Sequence, residues 1–395
     1  MKKQLFFILL LISFQLTCAA QTQVWKFKTK DKIVGAATIS ENRILFGSQD
    51  GFLYSIDKST GKEQWKFKTQ GQIRSTPKFE NGKVFVNSSD GNIYAVNANS
   101  GELVWKFSTA GETQVDLWDY YLSSPKTIDN LVIVGSGDHQ VYALDQQTGA
   151  KVWSYKTEGV VHADPLINNQ KVYIGSFDGS FYALDAKTGT LKWKFKTIGD
   201  AYFPKGEIQN GASIANDMVY FGSRDYNLYA INPETGTGMW NMKERGSWVI
   251  ATPAQSNKLT YFGTSDTHSF YCLDAYSSDV KWKMSLNERI YGQAAFYENL
   301  VLFGCFNGKL YAVDKLSGKT FWEFQTEASK QNWSVVYDEK GHFQPTYQYY
   351  GNDMSITLKG EKQIMDLGSI MGSLIVEQNI VYFGSADGYF YAVRI

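Results

Sequence analysis

Cysteine and histidine are both scarce in this chain. Its 395 residues include three cysteines and four histidines, and one of the cysteines, Cys18, falls in the first twenty residues. Cys272 and Cys305 alone are too few for a disulfide framework. The histidines (His139, His162, His268 and His342) are scattered, with no His-Glu-x-x-His or Cys-x-x-Cys spacing, so the common metal sites are excluded and no metal ligand is assigned. A Gly-x-Ser-x-Gly elbow and a phosphate loop are also missing. Charge is balanced at 39 basic and 39 acidic residues with no basic run, which removes the electrostatic footprint of a nucleic-acid binder. Past residue 20 no apolar run approaches the length of a membrane span.

The first twenty residues read as a targeting segment. Lys2 and Lys3 start it, residues 5–16 are apolar, and Cys18-Ala19-Ala20 offers small residues for cleavage before Gln21. The mature chain is expected to be exported, to the periplasm or the outside. Cys18 suggests an alternative, a lipid anchor on a membrane, although Gln15-Leu16-Thr17 departs from the usual lipidation pattern.

Aromatic residues are plentiful, at 15% of the chain, and they repeat. Ile174 begins the clearest copy, IGSFDGSFYALDAKTGTLKWKFKT. Its Trp193 has counterparts at Trp25, Trp65, Trp105, Trp153, Trp240, Trp282 and Trp322, spaced 40 to 48 residues apart. Each copy reads as four short antiparallel strands. An Asp-Gly hairpin such as Asp178-Gly179 follows the second strand, and a Thr-Gly turn such as Thr188-Gly189 follows the third. The last copy stops before its tryptophan strand, and that strand stands at the other end as VWKFKT from Val24. The period and the split copy predict an all-β, eight-bladed β-propeller, closed by the N-terminal strand pairing with the C-terminal blade. Residues 21–395 then form one domain and one monomeric ring. Cys272 and Cys305 lie in its strands, where other copies carry Ala or Ser. They read as buried thiols, or as one bridge between neighbouring blades.

The run Tyr182-Ala183-Leu184-Asp185, Thr188-Gly189 and Trp193 resembles the tryptophan-docking repeat of the quinoprotein-type, PQQ-like β-propellers. That resemblance implies that each tryptophan packs across to the adjacent blade. In the dehydrogenases of the family, pyrroloquinoline quinone lies over the axis beside Ca²⁺, with a catalytic Asp, a Glu and Asn near the metal, and two adjacent cysteines. Adjacent cysteines are missing here, and Glu207 with Asn210 is the nearest approach to the Glu and Asn. No cofactor and no catalytic residue is therefore assigned. The chain is most similar to the family's non-enzymatic envelope lipoproteins of outer-membrane β-barrel assembly.

Function has to come from where the copies differ. The connection from a tryptophan strand to the next blade is lengthened three times, within residues 109–134, 197–221 and 326–383, always on the same face of a propeller. The longest insertion, about 327–367, carries Trp333, Tyr337, Phe343, Tyr347, Tyr349 and Tyr350, while Trp118 and Tyr120 stand in the first. These rings are candidates for a partner-binding surface. A second variable place is the axis, where successive first strands present Val34, Arg74, Leu122, His162, Gln209, Ile250, Tyr291 and Met371 above a ring of small residues. That mixture fits the mouth of a water-filled channel, and Arg74, His162, Gln209 and Tyr291 could converge on a ligand. His162 and Asp164 are expected on the same side of their strand, whereas His139 and His268 in hairpin turns read as solvated.

The reading is a non-catalytic exported propeller acting as a protein-interaction scaffold in the cell envelope, with an envelope protein as partner. Two alternatives stay open: a small-molecule or glycan-binding propeller, and a PQQ-dependent dehydrogenase that would carry the quinone with Ca²⁺.

Overall fold

The computed structural model describes residues 22–351 and 353–395. The proposed signal segment and Cys18 lie outside the described residues. Eight four-stranded antiparallel sheets surround one axis. Blade one holds Ala37–Ser40, Arg43–Gly47, Phe52–Asp57 and Glu63–Lys68, running in order from the axis outward. Blades two to seven repeat that order up to Thr320–Gln325. In blade eight the inner three strands are Ile375–Glu377, Ile380–Gly384 and Tyr389–Arg394, and the outer strand is Gln23–Lys28. Trp25 pairs with Ala392 and Lys28 with Tyr389, so strands from the two ends of the chain close the ring as the split repeat predicts.

The tryptophans hold one blade to the next. Each indole N–H of Trp25, Trp65, Trp105, Trp153, Trp193, Trp240 and Trp282 donates across the interface to a backbone carbonyl, at 2.9–3.1 Å. The acceptors, such as Ala98 for Trp65 and Ala186 for Trp153, sit just past the third strand of the following blade. Trp322 is buried in the same way, but its Nε1 has no partner among the described residues. The Thr-Gly turns, and Ser100-Gly101 at the same place in blade two, explain themselves here. Gly101 has φ +74, and a Cβ on it would come within 2.8 Å of the Trp65 ring. Glycine is therefore required twice at that turn, for its left-handed backbone and for the indole lying against it.

The Asp-Gly hairpins have an equally structural logic. Asp178 accepts the Tyr182 hydroxyl at 2.6 Å, the Ser180 N–H at 2.7 Å and, from the preceding connection, the Glu158 N–H at 3.0 Å. Asp50, Asp90, Asp138, Asp225 and Asp387 take the corresponding tyrosine hydroxyls. Each hydroxyl is pushed up, first by burial and next by this bond for Tyr54, Tyr94, Tyr142, Tyr182 and Tyr229, so it remains a donor.

Crowding sets the small ring near the axis: a Cβ on Gly35 would meet the Ser75 carbonyl oxygen at 2.9 Å, and one on Gly372 the Gly35 carbonyl oxygen at 2.7 Å. Below it, side chains cap the inner strands' free N–H groups. Ser124 Oγ accepts from Thr76, Asp164 from Ser124, and Ser373 Oγ from Gln293. Cys272 and Cys305 are buried free thiols in one apolar cluster between neighbouring blades. Burial pushes the Cys272 thiol up to about 11.

Candidate functional site

All three lengthened connections rise from the face that carries the Asp-Gly hairpins. The first, residues 111–122, crosses over the axis, since it meets blade two at Arg74, three at Gly137, four at His162, five at Arg224, six at Trp248, seven at Arg289 and eight at Met371. Its own short-range bonds shape it: Asp116 Oδ1 accepts from Trp118 N–H at 3.0 Å, and Asp119 Oδ2 accepts from Val115 N–H at 2.9 Å.

Arg74, His162 and Gln209 do converge, and what they hold is this segment. Arg74 Nη1 donates to the Asp119 carbonyl at 2.7 Å, and Gln209 Nε2 donates to the Trp118 carbonyl at 2.7 Å. His162 lies between two carboxylates, with Nδ1 2.9 Å from Asp119 and Nε2 3.0 Å from Glu112. Burial alone would lower the His162 pKa, but the bonds to Asp119 and Glu112 and their charges outweigh it and raise it to about 9. Glu112 is fixed in turn by Gly137 N–H at 3.0 Å. Arg224 completes the set, pairing with both oxygens of Asp116 and donating from Nη2 to Gln209 Oε1 at 2.7 Å.

Tyr291 belongs to the other half of the ring. Its hydroxyl meets Ser265 Oγ at 2.9 Å, and its ring packs on Phe306 and Tyr120. Val34, Ile250 and Met371 join the same apolar cluster, together with Tyr120 and Tyr121 of the crossing segment. The mixed chemistry of the axis ring therefore has a direct cause. Blades two, four and five offer polar side chains to the segment's carboxylates and carbonyls. Blades six, seven, eight and one surround its tyrosine rings with apolar side chains, while Arg289 and the Met371 carbonyl take the two hydroxyls. The mouth read from sequence as a water-filled opening is stoppered. A cavity of about 500 Å³ remains below, lined by Thr76, Ser124, Lys126, Asp164, Asn210 and Gln293 among others. Asp164 serves that cavity wall while His162 serves the stopper, so the two neighbours take different partners. Asn210 also lines the cavity, while Glu207 has a buried carboxylate oxygen, Oε2, without a partner among the described residues.

The long insertion forms a lid on the same face. Helix α1, Glu327–Val336, is capped by Thr326 Oγ1 accepting from Ser329 N–H at 3.2 Å. Helix α2, Met354–Met365, is capped by Asp353 Oδ1 accepting from Ser355 N–H at 2.9 Å. Glu361 on the inner face of α2 takes Arg289 Nη2 at 2.9 and 3.1 Å and also accepts the Tyr120 hydroxyl. Burial pushes that hydroxyl well above its ordinary range, which keeps it a donor. The Arg289 guanidinium lies 4.7 Å from the Phe306 ring and 5.1 Å from that of Tyr349. Lid, crossing segment and ring thus share one buried ion pair.

The aromatic partner candidates divide between inside and outside. Tyr337 is fully buried and Tyr120 nearly so, while Trp118, Trp333, Tyr347 and Tyr349 are half-buried. Trp333, Tyr337, Phe343 and Tyr347 stack in sequence through the lid, with centroids 4.5–5.3 Å apart. Phe343 and Tyr350 turn outward, 38% and 55% exposed. His268, read as solvated, is half-buried against Phe343, and burial lowers its pKa.

Glu112, Asp116, Asp119, Arg224, Arg289 and Glu361 were not singled out from the sequence. A signal existed for part of the set, because an insertion with three acids faces a ring that carries Arg74 and His162.

Eight tryptophan-bearing blades closed by a composite sheet define a quinoprotein-type β-propeller, here with its axis stoppered on one face. The chain matches the family described as outer membrane protein assembly factor BamB over residues 16–127, 116–241 and 203–395, and it belongs to that family. No curated protein matches it. Among solved structures it shares the fold of BamB from Moraxella catarrhalis at 17% identity, covering 95% of this chain and 98% of that one with a TM-score of 0.70. The computationally designed Ika8 protein matches at 17% identity, 95% and 100% coverage and a TM-score of 0.69. A europium-containing methanol dehydrogenase matches at 14%, 95% and 93% coverage and 0.72. Among the described residues no helix is long and apolar enough to cross a membrane.

Proposed function

We propose that this chain is a non-catalytic, exported propeller that acts as a protein-interaction scaffold in the cell envelope, in the outer-membrane protein assembly for which its family is named. The observation that carries the reading is the use made of the axis. Residues 111–122 fill the space over it, and Arg74, His162 and Gln209 are engaged in holding them. In the dehydrogenases of this fold that space takes a quinone and Ca²⁺. Ca²⁺ needs six to eight oxygen ligands, yet the carboxylates of Glu112, Asp116 and Asp119 already face His162 or Arg224. The residues present do not fit that group.

The second insertion and the lid, on the same face as the stoppered axis, support a contact role, because they leave apolar side chains facing solvent. Ile198 and Tyr202 on the second insertion are 69% and 82% exposed, and Met354 and Leu358 on the outer side of α2 are 63% and 50% exposed. Exposed large apolar groups carried by a rigid ring suit a protein partner.

The test places a photo-crosslinking residue at Tyr202, at Leu358 or, as a control, at Leu103 on the outer strand of blade two. Adducts with an outer-membrane assembly component at Tyr202 or Leu358, and none at Leu103, are expected in the envelope of the source organism. Absence of adducts at both sites, or equal adducts at Leu103, overturns the reading.

A further inference from the structure

Beside the crossing segment lies a pocket of about 360 Å³ to which each of the three insertions gives one aromatic ring: Trp118, Phe203 and Tyr350. The ring of blades adds Tyr226 and Trp248, and the polar groups are Asp116, Arg224, Ser265 and Asp266. Trp248, 8% exposed, is the most buried of these rings. Phe203 and Trp118 stand edge-on to it at 5.0 and 5.9 Å, and the Arg224 guanidinium lies 4.4 Å from its centroid. Tyr350 is the most exposed of the rings contributed by the insertions, with its hydroxyl 2.9 Å from Asp266 Oδ1.

A second observation points to the same place. Tyr226 occupies the hairpin position that is glycine in five blades (Gly51, Gly91, Gly179, Gly308 and Gly388) and histidine in two (His139 and His268, φ +68 and +47), and it keeps the same left-handed backbone at φ +72. Histidine enters that conformation several-fold more often than most residues, whereas a bulky tyrosine avoids it, and strain of that kind clusters at sites that use the side chain. The Tyr226 ring packs edge-on against Phe203 at 5.7 Å and lines the pocket.

We propose that this pocket is a saccharide-binding site, taking the ring of a neutral sugar. Several rings set at steep angles offer faces to the C–H side of a sugar. The planar Asp116–Arg224 pair, held rigid by Gln209, offers fixed acceptors and donors to neighbouring hydroxyls. An organic cation suits the pocket less well. Arg224 already lies over the Trp248 ring, Asp116 is paired with Arg224, and Asp266 accepts from Tyr350. This site is independent of the scaffold role and would survive its failure.

The experiment titrates the full-length mature protein with glucose, N-acetylglucosamine and their β-linked disaccharides. It follows tryptophan emission and saturation-transfer NMR, with tetramethylammonium as a control ligand. Tyr226→Gly relieves the backbone and removes the ring, and Tyr350→Ala removes the outer wall. We expect saturable binding of at least one saccharide, weakened about tenfold or more in both variants, while the unfolding midpoint of Tyr226→Gly equals or exceeds that of the parent. If Tyr226→Gly is instead less stable, the exposed Tyr350→Ala carries the comparison. Failure of every saccharide to bind overturns the proposal, as does binding of tetramethylammonium in their place. Saccharide binding that both variants leave unchanged also overturns it, because the sugar then sits elsewhere.

Discussion

Replacing Gly101 by alanine tests the docking of one blade on the next, and Gly82→Ala supplies its own control. The two glycines lie in the same blade with nearly equal backbones, φ +74 and +72. Around Gly82 a Cβ finds nothing within 4 Å, whereas at Gly101 it would lie 2.8 Å from Trp65 Cε3 and 2.9 Å from Cδ2. Both substitutions carry the left-handed cost of an L-residue, about 1–2 kcal/mol, offset by about 0.4–1 kcal/mol from the stiffer unfolded chain. Gly82→Ala should therefore cost about 1 kcal/mol. Gly101→Ala must in addition push the indole away, at about 1–3 kcal/mol for overpacking. The indole cannot yield without stretching its 2.9 Å bond to the Ala98 carbonyl, which adds about 1 kcal/mol. Backbone and unfolded-state contributions cancel between the variants, so the difference of about 2–4 kcal/mol reports the blade-to-blade contact alone. Guanidinium denaturation followed by tryptophan emission measures it, with an unchanged slope required for the comparison. Equal midpoints for the two variants would refute the docking argument.

Two further perturbations probe the stopper and the lid. The folded-state pKa of His162, about 9, lies above the ordinary 6.5, so its stabilisation is whole below about pH 6.5 and is lost as pH rises through 9. The unfolding midpoint of the parent should fall across that window, and His162→Gln should flatten the fall; parallel profiles would contradict the clamp. Glu361→Ala leaves the Arg289 guanidinium buried without its main partner, which should cost about 3–5 kcal/mol. Hydrogen exchange in α2 should accelerate well before exchange in the blades does, and unchanged protection there would count against the shared ion pair.

The ring was readable in the sequence because its rules are local and recur. A Thr-Gly turn, an Asp-Gly hairpin and a tryptophan strand each state their own geometry, and eight copies in register leave little else to fold. The closure was readable too, since Val24 begins the strand that the last copy omits. The stopper was not. Arg74, His162 and Gln209 stood out as variable positions, but their partners, Glu112, Asp116 and Asp119, occur once and have no register against which to be aligned. Tyr120, taken as an outward contact, faces inward because Arg289 and Glu361, 169 and 241 residues further on, build the polar pocket that its hydroxyl enters. Arg224 hides in a hairpin whose other copies carry Gln49, Ser89 or Phe177, so its charge reads as surface variation. Pairings between single-copy segments depend on which loops meet over the axis, and no periodic pattern encodes that.

The composite blade has a consequence for the newly made chain. Strand Gln23–Lys28 leaves the ribosome before the seven complete blades, yet its partner Tyr389–Arg394 follows all of them. At ordinary synthesis rates the wait is on the order of 20–70 s. Throughout that interval an apolar-and-lysine strand has no neighbour, and seven complete blades form an open arc with a bare flank at each end. Cooperativity arrives in one late event, when the two ends meet. A defect in either end strand should therefore delay maturation far more than an equal defect in any middle blade.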